Sequence, residues 1–138
     1  MRLWHKDLIP YLPRQQLVSQ WRECCCIARN IHENGTPNHI LVNKILCYSP
    51  EDFNSYAGMV IAEMNKRGYS IDPERFWRWR DNKHFFGGDI LFKGWHNRRY
   101  LEQCLMNLEE KYDCGGITND EWATIIEEFG RYFPPSRR

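Results

Sequence analysis

Apolar residues in this 138-residue chain return at steps of three and four, and each such run is bracketed by residues that start and stop helices. From Pro13, whose missing N–H costs nothing in a first turn, Leu17, Trp21, Cys24, Cys25, Ala28 and Ile31 form one stripe, and Asn34-Gly35 ends it. The stretch "SPED" opens a second helix. Ser49 suits the N-cap, Pro50 the first helical position and Asp52 the positive end of the helix dipole. Its buried stripe is Phe53, Tyr56, Ala57, Val60, Ile61 and Met64, with Lys66 and Arg67 at the negative end and Gly68 as a left-handed cap. A further helix is predicted from about Asn97 to Asp113, with Leu101, Cys104, Leu105 and Leu108 inward and Gly115-Gly116 as the stop. Thr118 and Glu121 in "TNDE" read as a capping box for a last helix carrying Trp122, Ile125, Ile126 and Phe129. No segment reads as a sheet. The fold class is therefore all-α: a single compact domain, residues 1–138, of four to five helices with long loops. Between the long helices, residues 1–12 read as an irregular arm and residues 36–48 as a linker with an apolar stretch. Asp72-Pro73 can start a short helix, and Gly87-Gly88 opens a loop.

The length is enough to bury a core without staples. No apolar run approaches the roughly 18 residues of a membrane span, and the opening "MRLWHKDLIPYLP" lacks the long apolar core of a signal peptide. A cytoplasmic monomer with reduced cysteines is expected. The three consecutive cysteines Cys24, Cys25 and Cys26 point about 100° apart in succession on a helix, so they cannot converge on one ion. None of the six cysteines forms a C-x-x-C pair, and the five histidines lack a ligand spacing, so neither a metal nor another cofactor is expected.

Net charge is only +1, but it is unevenly spread. Residues 66–99 carry nine Lys/Arg against four Asp/Glu, whereas residues 100–130 carry one against eight. Such asymmetry fits a protein with one anion-facing side, and equally a mixed solvated surface. Within the basic stretch, "RFWRWRDNKHFF" interleaves Arg75, Arg78, Arg80 and Lys83 with Phe76, Trp77, Trp79, Phe85 and Phe86. Cations attract phosphates and aromatic faces stack on unpaired bases, although the same pattern also describes core aromatics with snorkelling arginines. On the first helix, Gln16, Ser19, Gln20, Glu23 and Asn30 share a polar strip beside the apolar one. Glu23, next to Arg22, has the surroundings of a general acid/base as well as those of a solvated carboxylate. Finally, the long side chain of Arg2 is expected to block the usual removal of an initiator methionine and so to leave a Met1 α-amine. An α-amine titrates at about 7.7–8.0, so part of it is nucleophilic near neutrality.

The segment "RQQLVSQWRE", Arg14 to Glu23, resembles the start of the first helix in phage pyrimidine-dimer DNA glycosylases of the endonuclease V type. Gln15 matches that family's glutamine, Leu17 its leucine, and Trp21-Arg22-Glu23 its aromatic-Arg-Glu triplet. "IHENG" resembles the end of the same helix, "EMNKRGYSI" the exit from the second, and "MRL" the opening, with Arg2 in the place of the family's arginine. The resemblance covers most of the first half of the chain. It implies an all-α repair enzyme acting on ultraviolet- or base-damaged double-stranded DNA. The implied nucleophile is the Met1 amine, which attacks C1′ to give an imine. The implied acid/base is Glu23, which moves protons for the later β-elimination. Arg2, Gln15 and Arg22 are implied to grip the DNA. A second helix-one arginine of the family falls on Cys26 here, and the Arg75 to Lys83 cluster is a candidate substitute. A binding module that kept the fold without the nucleophile, and an interaction protein using the acidic segment, are the competing readings.

Overall fold

The computed structural model describes residues 1–84 and 90–138. Phe85 and Phe86 of the aromatic-basic stretch, and the Gly87-Gly88 loop signal, lie outside the described residues. Among the described residues the regular structure is helical throughout. The α-helices are α1 (Arg14–Asn34), α2 (Pro50–Lys66), α3 (Glu74–Trp77), α4 (Arg98–Asp113) and α5 (Asn119–Phe129). None of them is long and apolar enough to cross a membrane.

The terminators act as the sequence leads one to expect. Gly35 closes α1 at φ 75° and its N–H donates to the Ile31 carbonyl, a left-handed cap that a Cβ would strain. Thr118 and Glu121 make both halves of the capping box that starts α5. Asn97 caps α4 by accepting from the Tyr100 N–H at 3.0 Å. Pro50 takes the first turn of α2, but Ser49 at its N-cap position makes no side-chain cap. Instead Asp52, in that first turn, accepts the Phe92 N–H at 3.0 Å and ties the 90–97 segment to the start of the helix. Phe92 is fully buried and sits at φ 54°, a conformation a phenylalanine adopts only where its surroundings hold it.

The arm and the linker are more ordered than expected. Lys6–Tyr11 and Asn43–Cys47 both form 3-10 turns. The reason is apolar content. Leu3, Trp4, Leu8, Ile9 and Leu12 of the arm, and Val42 and Ile45 of the linker, all enter the core. Irregular backbone of that kind tightens into short turns to satisfy its own N–H groups. α1 packs on α2 and on the short α3, the arm packs on α2, and α4 pairs with α5. Residues 2–4 are thereby held by side chains from α1, α2 and α4, while Met1 is exposed.

Candidate active site and nucleic-acid face

Gln20 lies at the border between the apolar stripe of α1 and its polar strip, so its side chain is fully buried against the arm. Its Oε1 accepts the Trp4 N–H at 2.8 Å, and its Nε2 donates to the Arg2 carbonyl at 3.1 Å and to Glu23 Oε2 at 3.3 Å. Two further helices complete the clasp. The Tyr100 hydroxyl of α4 donates to the Leu3 carbonyl at 2.5 Å. The Tyr56 hydroxyl of α2 donates to the Trp4 carbonyl at 2.6 Å, with Gln20 Oε1 as a second acceptor 3.0 Å away. Three consecutive carbonyls of the arm are thus each held by a side chain from a different helix. Burial pushes both tyrosine hydroxyls well above their ordinary range, so they remain protonated donors.

The clasp sets the start of the chain against Glu23. That carboxylate is half-buried, and burial raises its pKa above the usual carboxylate range. The charge of the Met1 α-amine opposes the rise most, followed by the Arg2 backbone N–H, His39 and Lys111. The terminal amine is thus within electrostatic reach of a carboxylate whose ionised form burial disfavours.

Arg2 turns away from Glu23. Its guanidinium lies over the Trp4 ring, 5.6 Å from the centroid, with Nη1 3.9 Å from Cys104 Sγ. It lines an open cleft of about 400 Å³ together with Lys44, Arg99, Tyr100 and the loop residues Ile40 and Leu41.

A second basic region runs along the other flank of α1. Gln15 and Arg22 are exposed. Arg22 and Arg75 line one groove between α1 and the 68–75 segment, and Arg75 continues into a smaller one with Cys25, Cys26, Arg29, Arg78 and Trp79. Arg75 and Arg78 therefore border Cys26. Among the described residues no acidic side chain pairs with Arg22, Arg75 or Arg78. Arg80 differs from its neighbours. Its guanidinium donates to Asn54 Oδ1 at 2.8 Å and lies over Phe53 and Phe76, so it anchors the segment to α2. Lys83 pairs with Glu74 at 3.1 Å on the surface. The cysteine triplet divides by face: Cys24 is in the core, Cys26 is exposed, and the half-buried Cys25 thiol is pushed up to about 11, chiefly by burial.

Gln20, Tyr56 and Tyr100 carry the geometry of the site, yet sequence reasoning gives them no role. Gln20 appears only as one member of a polar strip, and the two tyrosines only as core or unassigned residues. The available signal is that Gln20 sits one turn from Glu23 on the edge of the apolar stripe, where a polar side chain must find a buried partner.

No curated protein and no solved structure gives a significant match to this chain. A family model described as pyrimidine dimer DNA glycosylase matches residues 1–76, which hold the arm, α1, α2, Gln20 and Tyr56 of the clasp, Glu23 and Arg75. With more than half of its length accounted for in this way, the chain belongs to the pyrimidine dimer DNA glycosylase family.

Proposed function

We propose that the chain excises damaged bases from double-stranded DNA and then cleaves the abasic strand, with the Met1 α-amine as nucleophile and Glu23 as acid/base. The observation that carries this reading is the clasp: Gln20 bonds the Arg2 carbonyl and the Glu23 carboxylate with one amide group. The residue that follows the amine and the carboxylate are thereby held by the same buried side chain.

In the proposed reaction the amine lone pair attacks C1′ and the C1′–N bond to the damaged base breaks, its electron pair leaving with the base, which takes a proton from solvent. The ammonium formed at C1′ gives a proton to Glu23, which passes it to O4′ as the C1′–O4′ bond breaks, leaving a protonated imine and an ionised Glu23. Glu23, raised above the ordinary carboxylate range, then mediates removal of a C2′ proton, and the C3′–O bond breaks by β-elimination. Arg2, Gln15, Arg22, Arg75 and Arg78 are proposed to face the DNA, Arg75 and Arg78 supplying the positive charge that Cys26 does not. Arg80 holds their segment in place, and Lys83 adds a weaker, Glu74-paired contribution.

Borohydride trapping on duplex DNA with one abasic site tests the reading. The expected product is a covalent adduct that peptide mapping places on the Met1 amine. DNA retardation with no adduct, or an adduct on a lysine, overturns it.

A further inference from the structure

The 36–42 loop is built to hold two apolar side chains in solvent. Pro37 and Val42 are buried at its ends. Asn30 Nδ2 of α1 donates to the Pro37 carbonyl at 3.4 Å. Asn43 Oδ1 accepts the His39 N–H at 3.0 Å, Thr36 Oγ1 accepts the Asn38 N–H at 3.1 Å, and Asn38 takes up φ 56° to complete the turn. Between these anchors Ile40 is 86% exposed and Leu41 51%. Single exposed aliphatics are ordinary on a protein surface. Two in succession at the apex of a pinned turn are not explained by core packing, because their neighbours already supply it.

Their position is informative. Ile40 and Leu41 form one wall of the cleft that also holds Arg2, Lys44 and Arg99, three cations suited to phosphates on either side of a base step. The same loop carries His39, which lies within electrostatic range of the Glu23 carboxylate. An apolar tip between phosphate-binding cations matches the chemistry of a base stack: hydrophobic faces bounded by anions. Aliphatic side chains that enter such a stack part the bases and kink the duplex, and a reacting nucleotide must leave its stack before an enzyme can reach C1′.

We infer that Ile40 and Leu41 form a wedge that enters the duplex next to the lesion and unstacks it, while Arg2, Lys44 and Arg99 hold the flanking phosphates. This inference rests on the glycosylase reading above. It assigns the step that precedes chemistry to a loop outside the catalytic pair.

The test uses the full chain, an Ile40→Ala/Leu41→Ala variant, and duplex DNA carrying 2-aminopurine beside an abasic site. The wild-type chain is expected to raise 2-aminopurine fluorescence on binding, and the variant to leave it near the free-duplex level. The ratio of borohydride-trapping rates on duplex against single-stranded abasic DNA should fall about tenfold in the variant, since single strands need no unstacking. An Ile40→Leu/Leu41→Met variant, which keeps the apolar bulk, should restore both readouts. If the alanine variant unstacks the probe and keeps the wild-type ratio, the wedge is overturned and the enzyme stands. If the wild-type chain traps neither substrate, the glycosylase reading fails and the wedge fails with it.

Discussion

Two polar regions of this molecule are built on opposite principles. Around residues 1–4, every carbonyl from Arg2 to Trp4 is matched to one side-chain donor, and those donors come from three helices. Along α1 and α3, Arg22, Arg75 and Arg78 have no acidic partner among the described residues and line open grooves. The first region fixes position, because a buried donor or acceptor left without its partner costs far more than the bond itself contributes. The second supplies charge, which acts over roughly 8–10 Å in physiological salt and needs little geometric precision. A reacting centre requires the first kind of construction and a polyanion track the second. Finding both on flanks of one helix is what makes α1 the organising element of the protein.

The sharpest way to break the comparison is to separate catalysis from stability at Glu23. Glu23→Gln keeps an acceptor for Gln20 but removes the charge. Strand cleavage is expected to fall by about 10²–10⁴-fold, the usual contribution of a positioned proton-transfer group. Stability should not fall with it. Burial raises the Glu23 pKa in the folded state, so ionisation at neutral pH opposes folding, and the neutral amide is relieved of that cost. The measurements are abasic-strand cleavage and the urea midpoint at pH 7. A variant that loses stability along with activity would show that Glu23 belongs to the structural clasp.

Gln20→Ala should do the reverse. It leaves the Trp4 N–H and the Arg2 carbonyl buried without partners and frees the arm, at a cost of about 2–4 kcal/mol in unfolding free energy. Trapping through Met1 should slow in parallel, because an amine on a loose arm rarely sits by Glu23. DNA affinity should fall only by the share of Arg2, which moves with the arm, because the arginines along α1 and α3 are untouched. Denaturation, trapping and retardation assays on one variant separate these three effects.

The contrast also explains what the sequence revealed. The long helices were legible because their stripes, Phe53 to Met64 and Leu101 to Leu108 among them, repeat with helical period, and because Gly35 and the Thr118–Glu121 box punctuate them. The arm was not, because a 3-10 turn of six residues has too little length to show a period, and its order comes from burying Leu3, Leu8 and Ile9 against partners distant in sequence. Glu23 and the amine came from resemblance, not from spacing. Gln20, Tyr56 and Tyr100 stayed invisible because a hydrogen bond across 36 or 97 positions leaves no local mark. The basic face was legible as charge, but composition alone did not distinguish Arg80, which is turned inward over Phe53 and Phe76, from Arg75 and Arg78 beside it.

For the charge-built region, Arg75→Ala/Arg78→Ala tests whether diffuse cations suffice. If Arg75 and Arg78 each neutralise one phosphate, as proposed, removing both should reduce the slope of log affinity against log salt by about 1.8, and lower duplex affinity roughly 10–100-fold at physiological salt. The unfolding free energy should stay within about 0.5 kcal/mol of wild type, because both side chains are exposed. An unchanged salt slope would move the DNA track to the Arg2, Lys44 and Arg99 cleft.

The smallest effect expected is also the one that sets the two regions apart most cleanly, because arginines do not titrate and the arm packs against a group that does. His96 accepts the Lys6 N–H through Nδ1 at 2.9 Å and stacks on His5 with ring centroids 5.1 Å apart. Burial, then the charges of His5 and Lys6, hold its pKa down to about 2. The unfolded chain binds this proton at about 6.5 and the folded chain does not, so the stability due to neutral His96 is complete above that pH and drains away as the solution is acidified. The slope is about 1.4 kcal/mol per pH unit once the unfolded histidine is charged, or roughly 2 kcal/mol between pH 6.5 and 5, before carboxylates begin to contribute. His5, also lowered by burial, adds in the same direction. Urea midpoints of the wild-type chain and of His96→Gln across pH 5–8 test this. The wild-type curve should fall below pH 6.5 and the variant's should fall less steeply. Parallel curves would mean that the packing between the arm and His96 already accommodates a charged imidazole. The region built on fixed geometry would then tolerate charge as readily as the basic face.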